Sequence, residues 1–190
     1  TGKVILNTAD PKAKGMDLSK SGVVQSALKG GTAEGFVTTE DNMFQIWAAS
    51  PVKGQQGQLV GTVSTGYNLS NPELVDSIKA LYGTDATIFS GDVRASTTIK
   101  KDGERLLGTT LDPVIAEIVL KQKQDYYGQA DILEMPYVTA YRPILDSGGE
   151  AVGLVFSGKS MAETNAQMRD TVIKIVALAL VILALCTLLI

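Results

Sequence analysis

The chain has 190 residues, a net charge of -3 and no histidine. A nearly balanced charge without a basic tract gives no reason to expect a nucleic-acid partner. The absence of histidine excludes histidine-dependent triads, histidine general bases and most catalytic zinc sites, and the single cysteine, Cys186, lies in an apolar run that offers no disulfide framework. We therefore expect no enzyme, no metal and no cofactor.

The chain repeats itself at an offset of 92 residues. Segment 45–66 aligns without a gap on 137–158, and identical alanine, proline, glycine and valine residues coincide along it. The same offset places the Leu-Lys pair at 28–29 on the Leu-Lys pair at 120–121. A register that holds across two separate blocks predicts two copies of one α/β module in tandem.

Residues 1–70 form the first predicted module. The apolar run 2–7 predicts a short strand, and 23–29 predict a short helix that ends at a glycine pair. Three further strands are predicted at 35–39, 43–52 and 58–67. The glycines of KGQQG suit a hairpin turn between the last two of these strands.

Residues 71–159 form the second predicted module. The Asn-Pro pair at 71–72 predicts the start of an amphipathic helix, whose packing face includes Leu81 and Tyr82. A second helix is predicted after the Asp-Pro pair at 112–113. Strands are predicted at 86–89, 93–98, 128–133, 136–145 and 151–157. The predicted fold class is α+β, with about five antiparallel strands in each module and helices against one face.

One continuous helix is predicted from Ser160 to the last residue. Residues 160–170 form a polar juxtamembrane part, and 171–190 are apolar apart from Lys174 and two threonines. Twenty residues at about 1.5 Å per residue reach about 30 Å, the thickness of a bilayer core. We therefore predict a transmembrane helix over 171–190. No glycine or proline follows Gly158, so we expect no hinge between the last strand and the membrane.

A stripe of methionine, threonine and aliphatic residues recurs along this helix at alternating spacings of three and four. Its members are Met161, Thr164, Met168, Thr171, Ile175, Leu178 and Ile182. Such a stripe suits a seam between two helices and predicts a homodimer, and the alternative is a solvated helix with incidental methionines. Because the chain begins without an initiator methionine and stops as the span is completed, we expect a fragment of a longer protein.

Five runs in a fixed order carry a family resemblance. They are ALKGG, WAASPVKGQQGQLVGTVSTGY, DGERLLGTTL, VLKQKQDYYG and YVTAYRPILDSGGEAVGLVFSGKS. Together they cover much of 2–160 and resemble the double Cache domain, the extracytoplasmic sensor of many methyl-accepting chemotaxis proteins. The resemblance implies two PAS-like (Cache) modules, membrane-distal at 1–70 and membrane-proximal at 71–159. It also implies a bacterial chemoreceptor in the inner membrane, with 1–170 periplasmic or extracellular.

Two sets of residues are candidates for the ligand site, because aromatic walls with amide, hydroxyl or guanidinium groups suit a small metabolite. The distal set is Gln45, Trp47, Thr62 and Ser64, with Thr38 and Thr39 from the preceding strand. The proximal set is Arg105, Tyr126, Tyr127, Tyr137, Tyr141 and Arg142. The Trp47 and Gln45 pair favours the distal set slightly, whereas an arginine fork, the best match to a carboxylate, favours the proximal set. The competing interpretation places the aromatic residues in the core and pairs the arginines with acidic residues.

We expect a small polar ligand of the organic acid or amino acid class. Its binding would close one module, move the hairpin that ends at Gly158 and displace the helix that begins at Ser160. Two other functions stay open. The same sensor could serve a histidine kinase or a cyclic-dinucleotide enzyme, or the chain could bind a protein partner and no small molecule.

Overall fold

The computed structural model describes residues 2–38, 43–146 and 148–188, and in the last helix the side chains of 161–162, 165, 168–180 and 182. The first part of the chain contains a 3₁₀ turn and four regular elements. They are the turn Pro11–Ala13, α1 (Gly22–Leu28), β1 (Ala33–Thr38), β2 (Phe44–Lys53) and β3 (Leu59–Asn68). These strands form an antiparallel sheet in the order β1-β2-β3.

The second part contains a five-stranded antiparallel sheet. Its elements are α2 (Pro72–Tyr82), β4 (Asp85–Ser90), β5 (Val93–Thr97), the short ribbon strands β6 (Lys100–Lys101) and β7 (Glu104–Arg105), α3 (Pro113–Ala116) continued by a π-helical turn (Glu117–Lys121), β8 (Tyr126–Ile132), β9 (Met135–Leu145), β10 (Ala151–Ser160) and α4 (Met161–Leu188). The sheet order is β5-β4-β10-β9-β8. The predicted α+β fold is therefore confirmed, with the expected five strands in this sheet.

Helices cover both faces of the five-stranded sheet. Along β4, Phe89 points to the core that contains Val119 of the π-helical turn, whereas Ile88 points to the core that contains Val75 of α2. Alternation of side chains along a strand explains how neighbouring residues serve different cores. The expectation of helices against one face was wrong, because α2 packs on the opposite face from α3.

The first sheet has three strands among the described residues, and the expectation of about five was wrong for it. The predicted strand at 2–7 is instead an irregular segment with a single bridge between Lys3 and Asp17. α1 covers one face of this sheet through Val23 and Ala27. Phe44 on the other face packs with Val75 of α2 and so joins this sheet to the outer face of the larger one.

The two predicted hairpins form with the same register. Trp47 pairs with Gly66 in the β2–β3 ladder, and Thr139 pairs with Gly158 in the β9–β10 ladder, so that both pairs are related by the offset of 92. Each ladder also skips one residue of its second strand, Val60 in one case and Val152 in the other. The sequence repeat is thus a repeat of backbone structure down to a β-bulge.

The structural repeat extends upstream of the hairpins, and we call 2–68 the first unit and 85–160 the second unit. α1 and β1 precede the first hairpin as α3 and β8 precede the second. Three backbone bonds near the start of each unit also correspond. They are Val4 N to Met16 O, Gly15 N to Val4 O and Leu18 N to Gly2 O, and Arg94 N to Thr109 O, Gly108 N to Arg94 O and Leu111 N to Asp92 O.

The helix α2 begins and ends as predicted. The side chain of Asn71 accepts a hydrogen bond from Glu73 N, and Gly83 ends the helix in the left-handed conformation with φ 65°. Leu81 and Tyr82, however, are 77% and 74% exposed. Their predicted place on the packing face was wrong, because only the earlier turns of the helix, around Val75, contact the sheet.

The last helix follows the last strand without a linker. β10 ends at Ser160 and α4 begins at Met161, where Ser160 Oγ accepts a hydrogen bond of 3.2 Å from Ala162 N. The 28 residues of α4 correspond to about 42 Å of helix. Within the described part of the chain, no helix is both long enough and apolar enough to cross a membrane. Much of the predicted span, namely residue 181 and 183–190, lies outside the described side chains.

Candidate ligand-binding site

A cavity of about 760 Å³ lies beside β3, the edge strand of the first sheet. Its described lining comprises 2–9, Leu18, Val24 and Leu28 of α1, Gln45 and Trp47 of β2, and 59–66 of β3. The cavity therefore lies between the irregular first segment, the short helix and the hairpin.

The pairing of β2 with β3 explains why four predicted residues meet in this cavity. Gln45 and Trp47 are two positions apart on β2 and therefore point to the same face. Cross-strand pairing of Ala49 with Ser64, and of Pro51 with Thr62, places both hydroxyls on that face. The structure thus brings together Gln45, Trp47, Thr62 and Ser64.

Trp47 is held between a glutamine and a glycine. Its indole Nε1 donates a hydrogen bond of 2.7 Å to Gln45 Oε1. A Cβ at Gly66 would lie 2.7 Å from Cδ1 and Nε1 of the indole, so the ring occupies the room that a larger residue would take. Because the indole engages the amide oxygen of Gln45, the amide hydrogens are the polar group that this side chain offers a ligand.

Two positions that line the cavity in the first unit, Thr62 and Ser64, correspond to large core residues in the second unit. At the offset of 92, small or polar residues of the first unit correspond to large residues of the second. The pairs are Ala49 and Tyr141, Thr62 and Leu154, and Ser64 and Phe156. The three larger residues are buried in the main core. One backbone frame thus carries a packed core in the second unit and a polar cavity in the first.

One positive charge stands at the cavity. Among the lining residues that the structure describes, Lys3 is the only charged one. It forms the isolated bridge with Asp17, and the pKa of the Asp17 carboxyl is lowered, first by hydrogen bonding to Ser19 and further by the charges of Lys3 and Lys20. The described lining thus contains one basic residue among otherwise neutral residues.

Two threonines of the distal set do not join this site. Thr38 Oγ1 lies 3.0 Å from Ser90 Oγ, at the end of β4, and Thr38 is not among the residues that line the cavity. Its assignment to the distal site is therefore not supported by the geometry. Thr39 lies outside the described residues.

The proximal tyrosines are divided between the core and the surface. Tyr141 is buried, and burial raises the pKa of its phenol to about 12. Tyr137 is buried too, and its hydroxyl donates to Asp85 Oδ2 at 3.4 Å, while Tyr126 packs edge-on against Tyr141. Tyr127 is 70% exposed and donates to Asp125 Oδ2 at 2.9 Å.

The proximal arginines already have carboxylate partners. Arg105 Nη1 and Nη2 bond to the two oxygens of Asp76 at 3.0 and 2.7 Å. Arg142 bonds to Asp125 through Nε and Nη2, and this arginine is the main cause of the lowered pKa of Asp125. Arg142 also follows Tyr141 directly in β9, so the two side chains point to opposite faces. The proximal set does not form one site.

Arg94 is a buried arginine that the sequence pattern does not single out. It is 8% exposed, its Nη1 donates to Thr109 Oγ1, and its guanidinium lies 5.0 Å from the ring centre of Phe89. Burial lowers its pKa, and its Nε has no hydrogen-bond partner among the residues that the structure describes. No ion pair of the described residues includes it. Its burial depends on the pairing of β5 with β4, which periodicity alone does not reveal.

A second cavity, of about 540 Å³, lies over the outer face of the five-stranded sheet. Its lining is largely apolar and includes Phe36, Leu74, Ile78, Ile144 and Val155. Two of its polar lining residues, Tyr127 and Arg142, bond to Asp125. A largely apolar lining makes this cavity less suited to a polar ligand than the first one.

The five-stranded sheet with its flanking helices defines a sensory domain of known type. A family model described as single Cache domain 3 matches residues 67–171, which is more than half of the chain. The chain therefore belongs to the single Cache domain 3 family. Cache domains are sensory ligand-binding modules, and the match confirms the expected Cache sensor domain. It begins just before α2 and ends within α4, so most of the first unit lies outside the matched residues.

The chain is similar to several solved sensor structures. An extracellular ligand binding receptor from Desulfohalobium retbaense aligns at 14% identity over 83% of this chain and 28% of that chain, with a TM-score of 0.49. The sensory domain of the Campylobacter jejuni chemoreceptor Tlp3 (CcmL) with isoleucine bound aligns at 14% identity over 79% of this chain and 58% of that chain, with a TM-score of 0.47. The V. cholerae histidine kinase DctB sensor domain aligns at 12% identity over 78% of this chain and 63% of that chain, with a TM-score of 0.45. The chain thus spans less than two thirds of each of these three. No protein with a curated description matches it.

Proposed function

We propose that the chain is the extracytoplasmic sensor of a bacterial chemoreceptor and that the cavity of the first unit binds its ligand. The observation that carries the proposal is the contrast between the two units. Equivalent inward positions hold Leu154 and Phe156 in one unit but Thr62 and Ser64 in the other. The same backbone structure holds a packed apolar core in the second unit and a polar cavity in the first unit. The first unit is therefore well suited to bind a small molecule.

The lining favours a small organic acid or an amino acid. Lys3 supplies one positive charge for a carboxylate, and Gln45, Thr62 and Ser64 supply neutral hydrogen-bonding groups. The indole of Trp47 and the aliphatic residues Val24 and Leu28 offer apolar surface to the remainder of such a ligand. This is the ligand class expected in the sequence analysis.

The chain is proposed to hold two Cache modules, 1–70 and 71–159, followed by a juxtamembrane helix at 160–170. The repeated helix, meander and hydrogen-bond pattern support this division, although the family match covers one domain. The apolar composition of 171–190 supports a transmembrane helix in the inner membrane, which would place 1–170 outside the cytoplasm.

Signal transmission is proposed to run from the hairpin of the second unit into α4. The direct succession of Ser160 and Met161 leaves no loop to absorb a movement of β10. The stripe that includes Met168, Ile175 and Leu178 would meet its copy in a homodimer, so that a displacement of one helix changes the pair. A ligand shifts the equilibrium between the two arrangements of this helix pair only to the extent that it binds one arrangement more tightly than the other.

Ligand binding by the full chain in detergent micelles tests the proposal. The panel is the twenty protein L-amino acids and carboxylic acids of two to four carbons, followed by thermal unfolding and calorimetry. A ligand at about 100 times its Kd stabilises the native state by about 2.7 kcal/mol, which is readily measured. We expect at least one member of the panel to raise the unfolding temperature and to bind with one site per chain.

Variants then locate the site. Ser64→Phe places in the first unit the residue that the second unit carries, and we expect it to abolish binding while the chain stays folded. Ala48→Phe adds the same side chain to the opposite face of the hairpin and should leave binding intact. Trp47→Ala should lose binding and Arg105→Ala should keep it. Binding that survives Ser64→Phe, or a folded chain that binds no member of the panel, would contradict the proposal.

A further inference from the structure

The strand β2 borders the candidate site on one face and the second unit on the other. Gln45 and Trp47 line the cavity. Phe44, the residue before Gln45, points to the opposite side of the sheet, because side chains alternate along a strand. It is 1% exposed and lies in the core that also contains Val75 of α2. A movement of β2 at the cavity is therefore also a movement at the interface between the two units.

Backbone hydrogen bonds fix Phe44 relative to the cavity wall. Phe44 N donates a hydrogen bond of 2.9 Å to Ser70 Oγ, and Phe44 O accepts one of 2.8 Å from Leu69 N. The next residue, Gln45, pairs with Asn68 of β3. Because both backbone groups of Phe44 are bonded to the segment that follows β3, its ring cannot keep its place when the hairpin of the first unit moves.

The ring of Phe44 lies against the backbone of β10. A Cβ placed at Gly153 would lie 3.4 Å from Cε1 of Phe44 and 2.2 Å from the carbonyl oxygen of Phe89 in β4. Glycine in a strand interior often marks a place where other groups approach the backbone closely. Val152, the residue before Gly153, packs against the same core as Phe44. At this point β10 is therefore in contact with the first unit.

The contact falls on the β-bulge of β10. The pairing of β10 with β9 skips Val152, whereas every residue from 153 to 160 has a partner in β9. A bulge disrupts the ladder locally, so the ring of Phe44 acts where β10 is held least firmly by its neighbour. From the bulge the strand runs to Ser160, and α4 begins at Met161. A displacement at the bulge is thus applied to the strand that continues into α4.

We propose that Phe44 couples the cavity of the first unit to α4 through its contact with the bulge of β10. An occupant of the cavity displaces β2, the ring moves against Val152 and Gly153, and β10 shifts together with the helix that follows it. The inference rests on the proposed function, because it concerns the regulation that starts from the same cavity. It assigns to Phe44 a role in transmission that burial alone does not give to its neighbours in the core.

A covalent probe in the cavity tests the inference without any ligand. In the full chain in detergent micelles, Cys186→Ser removes the native thiol and Ser64→Cys places a single thiol on the cavity wall, where N-ethylmaleimide adds bulk. Amide hydrogen exchange of 153–158 is measured by mass spectrometry with and without the label. We expect the label to change the exchange rates of these amides by roughly threefold or more.

Phe44→Leu and Phe36→Leu, each added to the labelled chain, form a matched pair. Both rings lie in the same core and stack with their centres 5.5 Å apart. The three atoms nearest to a Cβ at Gly153 belong to Phe44 and Phe89, so Phe44→Leu is the variant that withdraws a contact from β10. We expect Phe44→Leu to lose the effect of the label on 153–158 and Phe36→Leu to keep it, whereas a purely structural role would make the two variants alike.

Unchanged exchange of 153–158 on labelling would overturn the inference, as would equal responses of the two leucine variants. The comparison of labelled and unlabelled chains retains both aromatic rings, so it decides the first point even where a leucine variant does not fold. None of these results depends on a bound metabolite. Failure of the coupling is therefore distinguished from failure of the proposed ligand site, which the titrations with amino acids and carboxylic acids decide.

Discussion

Gly66 pairs with Trp47 across the β2–β3 ladder, and the indole lies where a side chain at position 66 would begin. The equivalent glycine of the second unit, Gly158, makes room in the same way for the ring of Phe156. Each unit thus sets an aromatic ring over a glycine next to its inner face. In the first unit the ring belongs to the wall of the candidate site.

Gly66→Ala should weaken ligand binding by roughly tenfold or more and destabilise the chain by about 1–3 kcal/mol, because the new methyl group displaces the indole and its hydrogen bond to Gln45. Calorimetric titration and urea unfolding measure the two effects. Gly61→Ala on the same strand is the matched control and should change stability by less than about 0.5 kcal/mol. Equal behaviour of the two variants would contradict the role given to Gly66.

Tyr141→Phe should reduce the loss of stability at alkaline pH. The buried phenol has a pKa of about 12, against about 10 in the unfolded chain. Its contribution is therefore fully present below pH 10 and is lost as the pH rises from 10 to 12, because the unfolded chain releases the proton first. Urea unfolding at pH 8 and pH 11.5 should show a fall smaller by about 2 kcal/mol in the variant.

Tyr82→Phe is the control for the alkaline experiment, since Tyr82 is 74% exposed. Its stability should decline with pH in parallel with that of the unmodified chain. A decline in Tyr141→Phe as steep as that of the unmodified chain would mean that the phenol is not a source of alkaline instability.

Asp85→Ala should destabilise the chain by about 2–3 kcal/mol. The buried carboxylate accepts hydrogen bonds from Lys79 Nζ and Thr98 Oγ1, both at 2.6 Å, and from Tyr137. Its removal leaves these donors without their acceptor. Asp131→Ala, at an exposed position of β8, should stay within about 0.5 kcal/mol. Urea unfolding at pH 7 compares the two, and a loss below 1 kcal/mol for Asp85→Ala would count against the network.

Arg94→Met should leave stability unchanged within about 1 kcal/mol or increase it, because the guanidinium is buried without a carboxylate partner among the described residues. Arg94→Ala should instead cost about 2–3 kcal/mol, since it removes the packing over Phe89. Chemical unfolding of both variants separates charge from packing. A loss above 3 kcal/mol for the methionine variant would indicate that the positive charge itself is stabilising.

Insertion of a Gly-Pro pair after Thr164 should uncouple ligand binding from output. The pair interrupts α4 between its junction with β10 and the apolar part, while the cavity lies in the other unit. A chimera with a chemoreceptor signalling region measures the output, and calorimetry measures binding. We expect unchanged affinity and a lost response. An Ala-Ala insertion controls for length, and a full response in the Gly-Pro chimera would argue against a rigid connection.

The repeat made the hairpins and the cavity face predictable from sequence. Position parity along β2 and β3, together with the turn between them, was enough to place Gln45, Trp47, Thr62 and Ser64 on one face. Tyr141 and Arg142 were both kept in the proximal set, although they are consecutive residues of β9 and their side chains therefore point to opposite faces. Hydrophobic patterning also gave the five-stranded sheet and the capped helix α2.

The structural features that the sequence did not predict depend on contacts between residues that are far apart in the sequence. Arg105 meets Asp76, and Arg142 meets Asp125, across sequence separations that no local pattern encodes. The burial of Arg94 follows from the pairing of β5 with β4. The run 2–9 has strand composition but is irregular, and its bridge from Lys3 to Asp17 is a contact that hydrophobic patterning does not encode.

The direct junction between Ser160 and Met161 makes α4 a lever with its pivot in the sheet. A helix of 28 residues is about 42 Å long, so a tilt of about 5° at the pivot moves the far end sideways by about 4 Å. A rearrangement at the junction that is small compared with a side chain would therefore become, at the far end, a displacement of about the length of one residue in an extended chain.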